Sequence, residues 1–194
     1  MKIVGILLAA GSGRRFDASG TRNKLLAPLA DGQIVVAAAA RALLATLPHV
    51  IAVVRDREGD VAALLRDLGC HITSCPDAGL GMAASLVHGL RHIPADADAW
   101  VIALGDMPYV QAATVTLLCA AIEDGSTIAV PFYNGRRGNP VAFHHTHFDE
   151  LMALRGDRGA RSLLDTHNVT EVRVDDAGIF PDIDTSADLN LPCP

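Results

Sequence analysis

Residues 2–16 read KIVGILLAAGSGRRF, and a lysine stands at position 24. The stretch Lys2–Leu8 is a short apolar run with no polar face, the pattern of a parallel strand buried on both sides. Directly after it come Leu8, Ala9, Ala10, Gly11, Ser12 and Gly13, then Arg14 and Arg15. Small residues after a buried strand let backbone N–H groups approach an anion closely, and the arginines and Lys24 add full charges. The turn is not the dinucleotide fingerprint, which needs glycine where Phe16 stands, and no G-x-x-x-x-G-K-[ST] loop occurs. The opening also has the outline of a short secretory signal. Its eight apolar residues run into Gly-Ser-Gly-Arg-Arg rather than a clean cleavage site, so it is read as a first strand.

Outward from this strand the pattern alternates. A helical stretch at about 33–46 precedes a strand at His49–Val54, and a helix at Asp60–Leu68 stops at Gly69. A strand at Cys70–Ser74, a helix at Met82–His92 and a buried strand at Trp100–Leu104 follow, the last broken by Gly105-Asp106-Met107-Pro108. A helix at about 111–123 leads into a strand at Thr127–Phe132. Residues 133–140 (YNGRRGNP) then form a turn between two β-like runs, so an antiparallel excursion enters near residues 127–143. Helical stretches at 147–154 and 159–166 and a strand at 169–174 complete the series. Without an internal repeat or linker, this predicts one α/β domain over residues 1–194: a three-layer αβα, Rossmann-like, mostly parallel sheet. Ligands of such sheets sit beyond the carboxyl ends of the strands, which singles out 9–24, 76–85 and 105–108.

Composition narrows the function class. The 194 residues are 50% hydrophobic and 20% charged, which excludes disorder. A net charge of −6 argues against a broad nucleic-acid surface yet leaves room for an anionic small molecule at local cations. Those cations are concentrated: Arg14, Arg15, Arg22 and Lys24 share one loop, and five more arginines lie between 136 and 161. Cys70, Cys75, Cys119 and Cys193 form no C-x-x-C and no zinc spacing, so they are read as thiols of a reducing, cytoplasmic compartment. No apolar run approaches the roughly 18 residues of a membrane span.

Several segments can carry chemistry. Asp106, just past a buried strand and followed by Met-Pro, is placed either to bind a hard cation or to shape a turn. Asp184, in DIDTSAD, is a second candidate ligand, while Thr185 or Ser186 there can cap a helix. Gly79–Ser85 is a glycine-rich turn entering a helix; Gly81 and Ser85 can face a nucleotide, or the turn is only an N-cap. Arg136, Arg137, Arg158 and Arg161, in glycine-rich turns, suit a phosphate on a second substrate or are simply solvated. His144-His145-x-His147 has no common metal-site spacing and is read as a polar strand end or helix start. No G-x-S-x-G or Cys–His–acid grouping supports covalent hydrolysis.

LAAGSGRRF…K, GLGMAASL, LGDMP, RRGNPVAF, GDRGAR and DIDTSADL, in this order, resemble the molybdenum cofactor cytidylyltransferases. Those enzymes fall within the nucleotidyltransferases built on a GT-A-like sheet, and the resemblance runs from about residue 3 to 189. It implies transfer of CMP from CTP to the terminal phosphate of molybdopterin carrying molybdenum, with release of pyrophosphate. Leu8 to Gly13, with Gly81 and Ser85, would hold the nucleotide; Arg15 and Lys24 would neutralise the triphosphate; Asp106 and Asp184 would hold Mg2+. Asn139, Arg158 and Arg161 would face the pterin, and a molybdoenzyme or its chaperone would receive the product. Guanylyltransferase relatives carry glycine at the position of Ala10, so its methyl favours cytosine. The loop before Lys24 is longer than usual, which leaves open whether Arg22 or Lys24 contacts the phosphates. Rival readings are a sugar or methylerythritol phosphate cytidylyltransferase, a molybdopterin guanylyltransferase, and a non-catalytic maturation factor that binds nucleotide or cofactor.

Overall fold

The computed structural model describes residues 1–11, 13, 15–17, 22–156 and 159–190. The opening run is strand β1 (Ile3–Ala9), and it lies at the centre of the parallel part of the sheet, between β2 (Val50–Val54) and β4 (Ala99–Leu104). Ile6 pairs with Ile51 on one side and Ile102 on the other. β3 (His71–Ser74) extends this part beyond β2. On the far side of β4 the direction reverses. β7 (Val141–His144) runs antiparallel to β4 and to β5 (Ile128–Tyr133), while β8 (Thr170–Arg173) returns parallel to β5. The short β6 (Arg136–Arg137) also pairs with β5. The mostly parallel sheet with one antiparallel excursion is therefore the architecture expected from the alternation.

Both faces of the sheet are covered because the strands are apolar on both sides. Leu7, Ala52, Val101 and their alternates pack beneath α1 (Val35–Leu44), α2 (Asp60–Asp67) and α4 (Ala112–Glu123). Ile6, Val53, Trp100, Ile102 and Phe143 face the other way, toward α3 (Met82–Leu90), α5 (Phe148–Met152) and α6 (Arg161–Thr166). The period of two in the strands thus assigns each side chain to one of two cores. α3 lies close against the sheet: a Cβ at Gly89 would come 2.9 Å from Val53 and 3.0 Å from Ile6. Among the described residues no helix is long and apolar enough to cross a membrane.

The direction of the strands decides where loops gather. The carboxyl ends of β1, β4, β5 and β8 all open at one edge, and β7 starts there. Three backbone and side-chain ties fix the loops of that edge to one another. Gly105 N donates to Leu8 O (2.9 Å), and Ile183 N donates to Asp106 O (2.8 Å). The third tie is Asp176, whose buried carboxylate accepts from Gln111 N (2.9 Å), Thr114 Oγ1 (2.6 Å) and Gly178 N (2.9 Å). It pins the start of α4, a few residues beyond Asp106, to the turn that precedes Asp182. Removing this carboxylate orphans three donors, two of them backbone. Asp176→Ala should therefore lower the unfolding free energy by about 3 kcal/mol, measured by urea denaturation, whereas a loss under about 0.5 kcal/mol would show that water replaces it freely.

Candidate active site

At this edge Lys24 is the central residue. It opens a short 3-10 turn (Lys24–Leu26) that Asn23 caps, its side-chain oxygen accepting from Leu25 N at 3.0 Å. Leu25 is buried in the core, and this anchorage turns the lysine inward; Lys24 is only 7% exposed. Its Nζ donates to Asp106 Oδ2 at 2.6 Å and to Asp184 Oδ1 at 3.3 Å. Arg15, exposed on the glycine-rich turn, reaches the other oxygen of Asp184 at 2.6 Å. Lys24 reaches the acidic centre, while the Arg22 guanidinium lies over the Phe16 ring at 5.3 Å. Phe16 is itself buried, so it fastens the turn to the core.

A third carboxylate completes the cluster. Carboxylate oxygens of Asp106, Asp182 and Asp184 lie within 4.8 Å of one another. The spacing explains itself: in Asp182-Ile183-Asp184 the apolar Ile183 is fully buried, and its two neighbours face the site. Asp182 was not singled out from sequence, although the alternation Asp-Ile-Asp carried the signal. Although Asp182 is exposed as a residue, desolvation at its carboxyl raises its pKa, as do the charges of Asp184 and Asp106. Asp188 stiffens the segment by accepting from Thr185 N, Asp184 N and Thr185 Oγ1, bonds that hold its carboxyl below the usual range. Three convergent carboxylates beside an ammonium match the oxygen-ligand chemistry of a hard divalent cation.

The glycine-rich turn passes beside this centre. Gly13 sits over the Lys24 stem with φ near +60°, where a Cβ would meet the lysine at 3.5 Å. Gly11 is exposed, Ala9 and Ala10 are buried, and Arg55 donates two bonds to Ala10 O at 3.3 and 3.2 Å. Arg55 is a loop-fixing residue that no motif pointed to. The Ala10 methyl belongs to the core cluster of Val53, Cys75 and Leu86. Ser12 and Arg14 lie outside the described residues, as does Arg158.

The remaining sequence candidates divide in two. Leu8, Asn139 and Arg161 line one open cleft of about 900 Å3, together with Met82, Leu104, Arg136, Arg137 and Phe180. Asn139 N is held by Ile179 O at 3.0 Å, and the Asn139–Pro140 peptide is cis. Arg136 stacks on Phe180 at 4.4 Å, and Arg137 pairs with Glu171 at 2.7 Å. Gly156 and Gly159 are brought against the start of α3: Gly156 O accepts from Ala83 N at 3.0 Å, and Gly159 lies against Met82. Gly81, at φ 114°, makes the bend into α3, whereas Ser85 is buried and bonds toward the Cys75 thiol. Burial pushes the Cys70 and Cys119 thiols up to about 11, so neither is a ready nucleophile.

The chain matches the MobA-like NTP transferase domain over residues 5–172. It belongs to that family. A member of the MobA-like family is a nucleotidyltransferase, and its relatives are similar along nearly their full length. Purine catabolism protein PucB of Bacillus subtilis is 29% identical over 97% of this chain and 95% of its own. A molybdenum cofactor guanylyltransferase of Cupriavidus pinatubonensis is 29% identical over 96% of this chain and 94% of its own. A solved structure of Rv0371c from Mycobacterium tuberculosis, in complex with manganese, superimposes with a TM-score of 0.76. It is 28% identical, covering 97% of this chain and 96% of that one. Nucleotidyltransferases of this kind use divalent metals, in keeping with the three carboxylates.

A divalent cation held by Asp106 and Asp184 would compete with the Lys24 ammonium for the same carboxylates. Lys24→Met should therefore bind Mn2+ about ten-fold more tightly without nucleotide, roughly 1.4 kcal/mol, as read by isothermal titration. Unchanged affinity would mean that the lysine does not compete.

Proposed function

We propose that the protein transfers CMP from CTP to the terminal phosphate of molybdenum-bearing molybdopterin, releasing pyrophosphate. The observation that carries this reading is the Lys24–Asp106–Asp184 contact, which sets a cation and carboxylates together where the glycine-rich turn meets the large cleft. Similarity to a protein named as a molybdenum cofactor guanylyltransferase supports the class of acceptor.

Two anions must be brought together for a phosphate oxygen to attack the α-phosphorus. Positioning and charge neutralisation therefore do most of the work, and no protein nucleophile is needed. In this reading Leu8 to Gly13 cradle the base and phosphates with backbone donors, and Arg15 and Lys24 neutralise the triphosphate. Gly81 shapes the bend beside the nucleotide, and Ser85, from beneath, steadies the same helix start. Asn139 and Arg161, which line the cleft, receive the phosphorylated pterin, with Arg158 as a further contact. Mg2+, held by Asp106 and Asp184 with Asp182 beside them, would supply charge stabilisation to the phosphates. The product passes to a molybdoenzyme or its chaperone in the cytoplasm.

Ala10 bears on the choice of base. Its methyl packs beneath the turn, so it sets the height of the backbone that faces the base. GTP is the second reading, favoured by the guanylyltransferase similarity.

Pyrophosphate release from each of the four NTPs, with and without molybdopterin and Mg2+, tests the proposal. Release from CTP only when the pterin is present is the expected result. Asp106→Asn should lower that turnover by about two to three orders of magnitude. Ala10→Gly should shift the kcat/KM ratio toward GTP. Release from GTP alone would make the enzyme a guanylyltransferase, and failure with all four would favour the non-catalytic maturation factor.

A further inference from the structure

The histidine group after β7 was read from sequence as a polar strand end, and two of its members behave that way. His144 Nδ1 meets Thr146 Oγ1 at 3.2 Å, and His145 Nδ1 meets the Asp98 carbonyl at 3.3 Å. The third does not. His147 is 7% exposed, and its Nδ1 lies 3.1 Å from Glu150 Oε1. The other oxygen of Glu150 lies 2.9 Å from Nε2 of His167, a residue twenty positions further along, at the end of α6. One ligand atom from each of the three falls within 4.8 Å of the others.

The proton inventory of His167 makes this arrangement informative. Its Nδ1 lies 3.1 Å from Leu163 O and 3.0 Å from Thr166 Oγ1. That hydroxyl is itself 3.3 Å from the carbonyls of Ser162 and Leu163, so its hydrogen is directed there and its lone pairs face the ring. Both neighbours of Nδ1 are then acceptors, and a neutral ring must carry its one proton on Nδ1. Nε2 is left presenting a lone pair to a carboxylate oxygen 2.9 Å away. Two lone pairs at that distance repel unless a proton, making the ring an imidazolium, or a metal ion lies between them. An imidazole whose far nitrogen is held by a backbone carbonyl is also the arrangement that orients metal-binding histidines.

We propose that His147, Glu150 and His167 form a divalent-cation site of the zinc type, separate from the nucleotidyl-transfer site. Two imidazoles and a carboxylate are a zinc donor set. The mixed nitrogen and oxygen donors set it apart from the all-carboxylate cluster of Asp106, Asp182 and Asp184. Zinc–ligand bonds of about 2.0–2.1 Å place tetrahedral neighbours roughly 3.3 Å apart, close to the two contacts already present. Glu150 is exposed and His167 partly so, which leaves one side of the site for water as a fourth ligand. Among the described residues the buried Nε2 of His147 has no hydrogen-bond partner, and the ring's hydrogen bond there is the one it makes through Nδ1 into this group.

The site lies at the opposite edge of the sheet from the glycine-rich turn: His144 pairs with Ala99, the first residue of β4, and residue 167 precedes β8. An ion there ties the turn before α5 to the carboxyl end of α6. The amino end of α6 carries Arg161, which lines the large cleft. The ion is thus a staple beneath one wall of that cleft.

Titration of the full chain with Co2+ in excess Mg2+ tests the site, because four-coordinate nitrogen-ligated cobalt absorbs strongly in the visible and six-coordinate oxygen-ligated cobalt only weakly. The expected result is one equivalent of strongly absorbing Co2+, displaced by Zn2+. Glu150→Gln and His167→Asn, both at solvent-reached positions, should each weaken it at least ten-fold while keeping the native circular dichroism. Asp106→Asn should leave the band intact. A wild-type chain with no such band, a band that survives both variants, or a band lost with Asp106→Asn would overturn the proposal. None of these readouts depends on nucleotidyl transfer.

Discussion

The buried ammonium of Lys24, in contact with Asp106 and Asp184, is the interaction on which the acidic edge depends. Carboxylates crowded at one strand end repel one another. At an effective dielectric near 20, a pair about 4 Å apart interacts by on the order of 4 kcal/mol. A cation must lie among them for the edge to stay compact, and in this structure the cation is supplied by the chain. The lysine comes from the loop after β1, Asp106 from the loop after β4, and Asp184 from the chain's closing segment. One charge cluster therefore joins three loops that the sheet alone would leave independent. The bonds of Asp176 and the Ile183–Asp106 backbone contact hold those loops from behind, in buried surroundings where solvent does not compete.

That design suits the proposed function, in which a metal and a polyphosphate would be accepted together. Under the proposed function the ammonium would hold the place of a metal's positive charge and be at hand for the phosphates. Arg15, on the exposed turn, shares Asp184 from the solvent side and can follow the nucleotide. The large cleft meets the same edge, so a second phosphorylated molecule could approach without crossing the sheet.

Much of the fold was legible in the sequence because the strands are buried on both faces and so read as unbroken apolar runs. β1 and β4 are the clearest cases, and the break after β5 announced the antiparallel excursion. Lys24, Asp106 and Asp184 were legible because each belongs to an ordered set of motifs, and Asp106 also follows a buried apolar strand. Asp182, Arg55 and Asp176 were not. Asp176 sits in an ordinary Asp-Asp-Ala-Gly turn, and only the tertiary packing of Thr114 and Gln111 against it gives the carboxylate its role. Arg55 follows β2 with no motif around it, and its bonds to Ala10 O arise from the parallel register of β1 and β2. His147 and His167 are far apart in sequence, so no local spacing could pair them.

We infer that the carboxylates around Lys24 are a metal seat that the lysine yields when nucleotide binds. A crystal structure of the chain with CTP and Mn2+, with anomalous scattering recorded to place the manganese, tests it most directly. The expected result is a manganese peak about 2.1–2.2 Å, close to the octahedral oxygen distance, from carboxylate oxygens of Asp106 and Asp184, with Lys24 Nζ on a phosphate oxygen. A peak elsewhere, with Lys24 still bridging the two aspartates beside bound CTP, would contradict it.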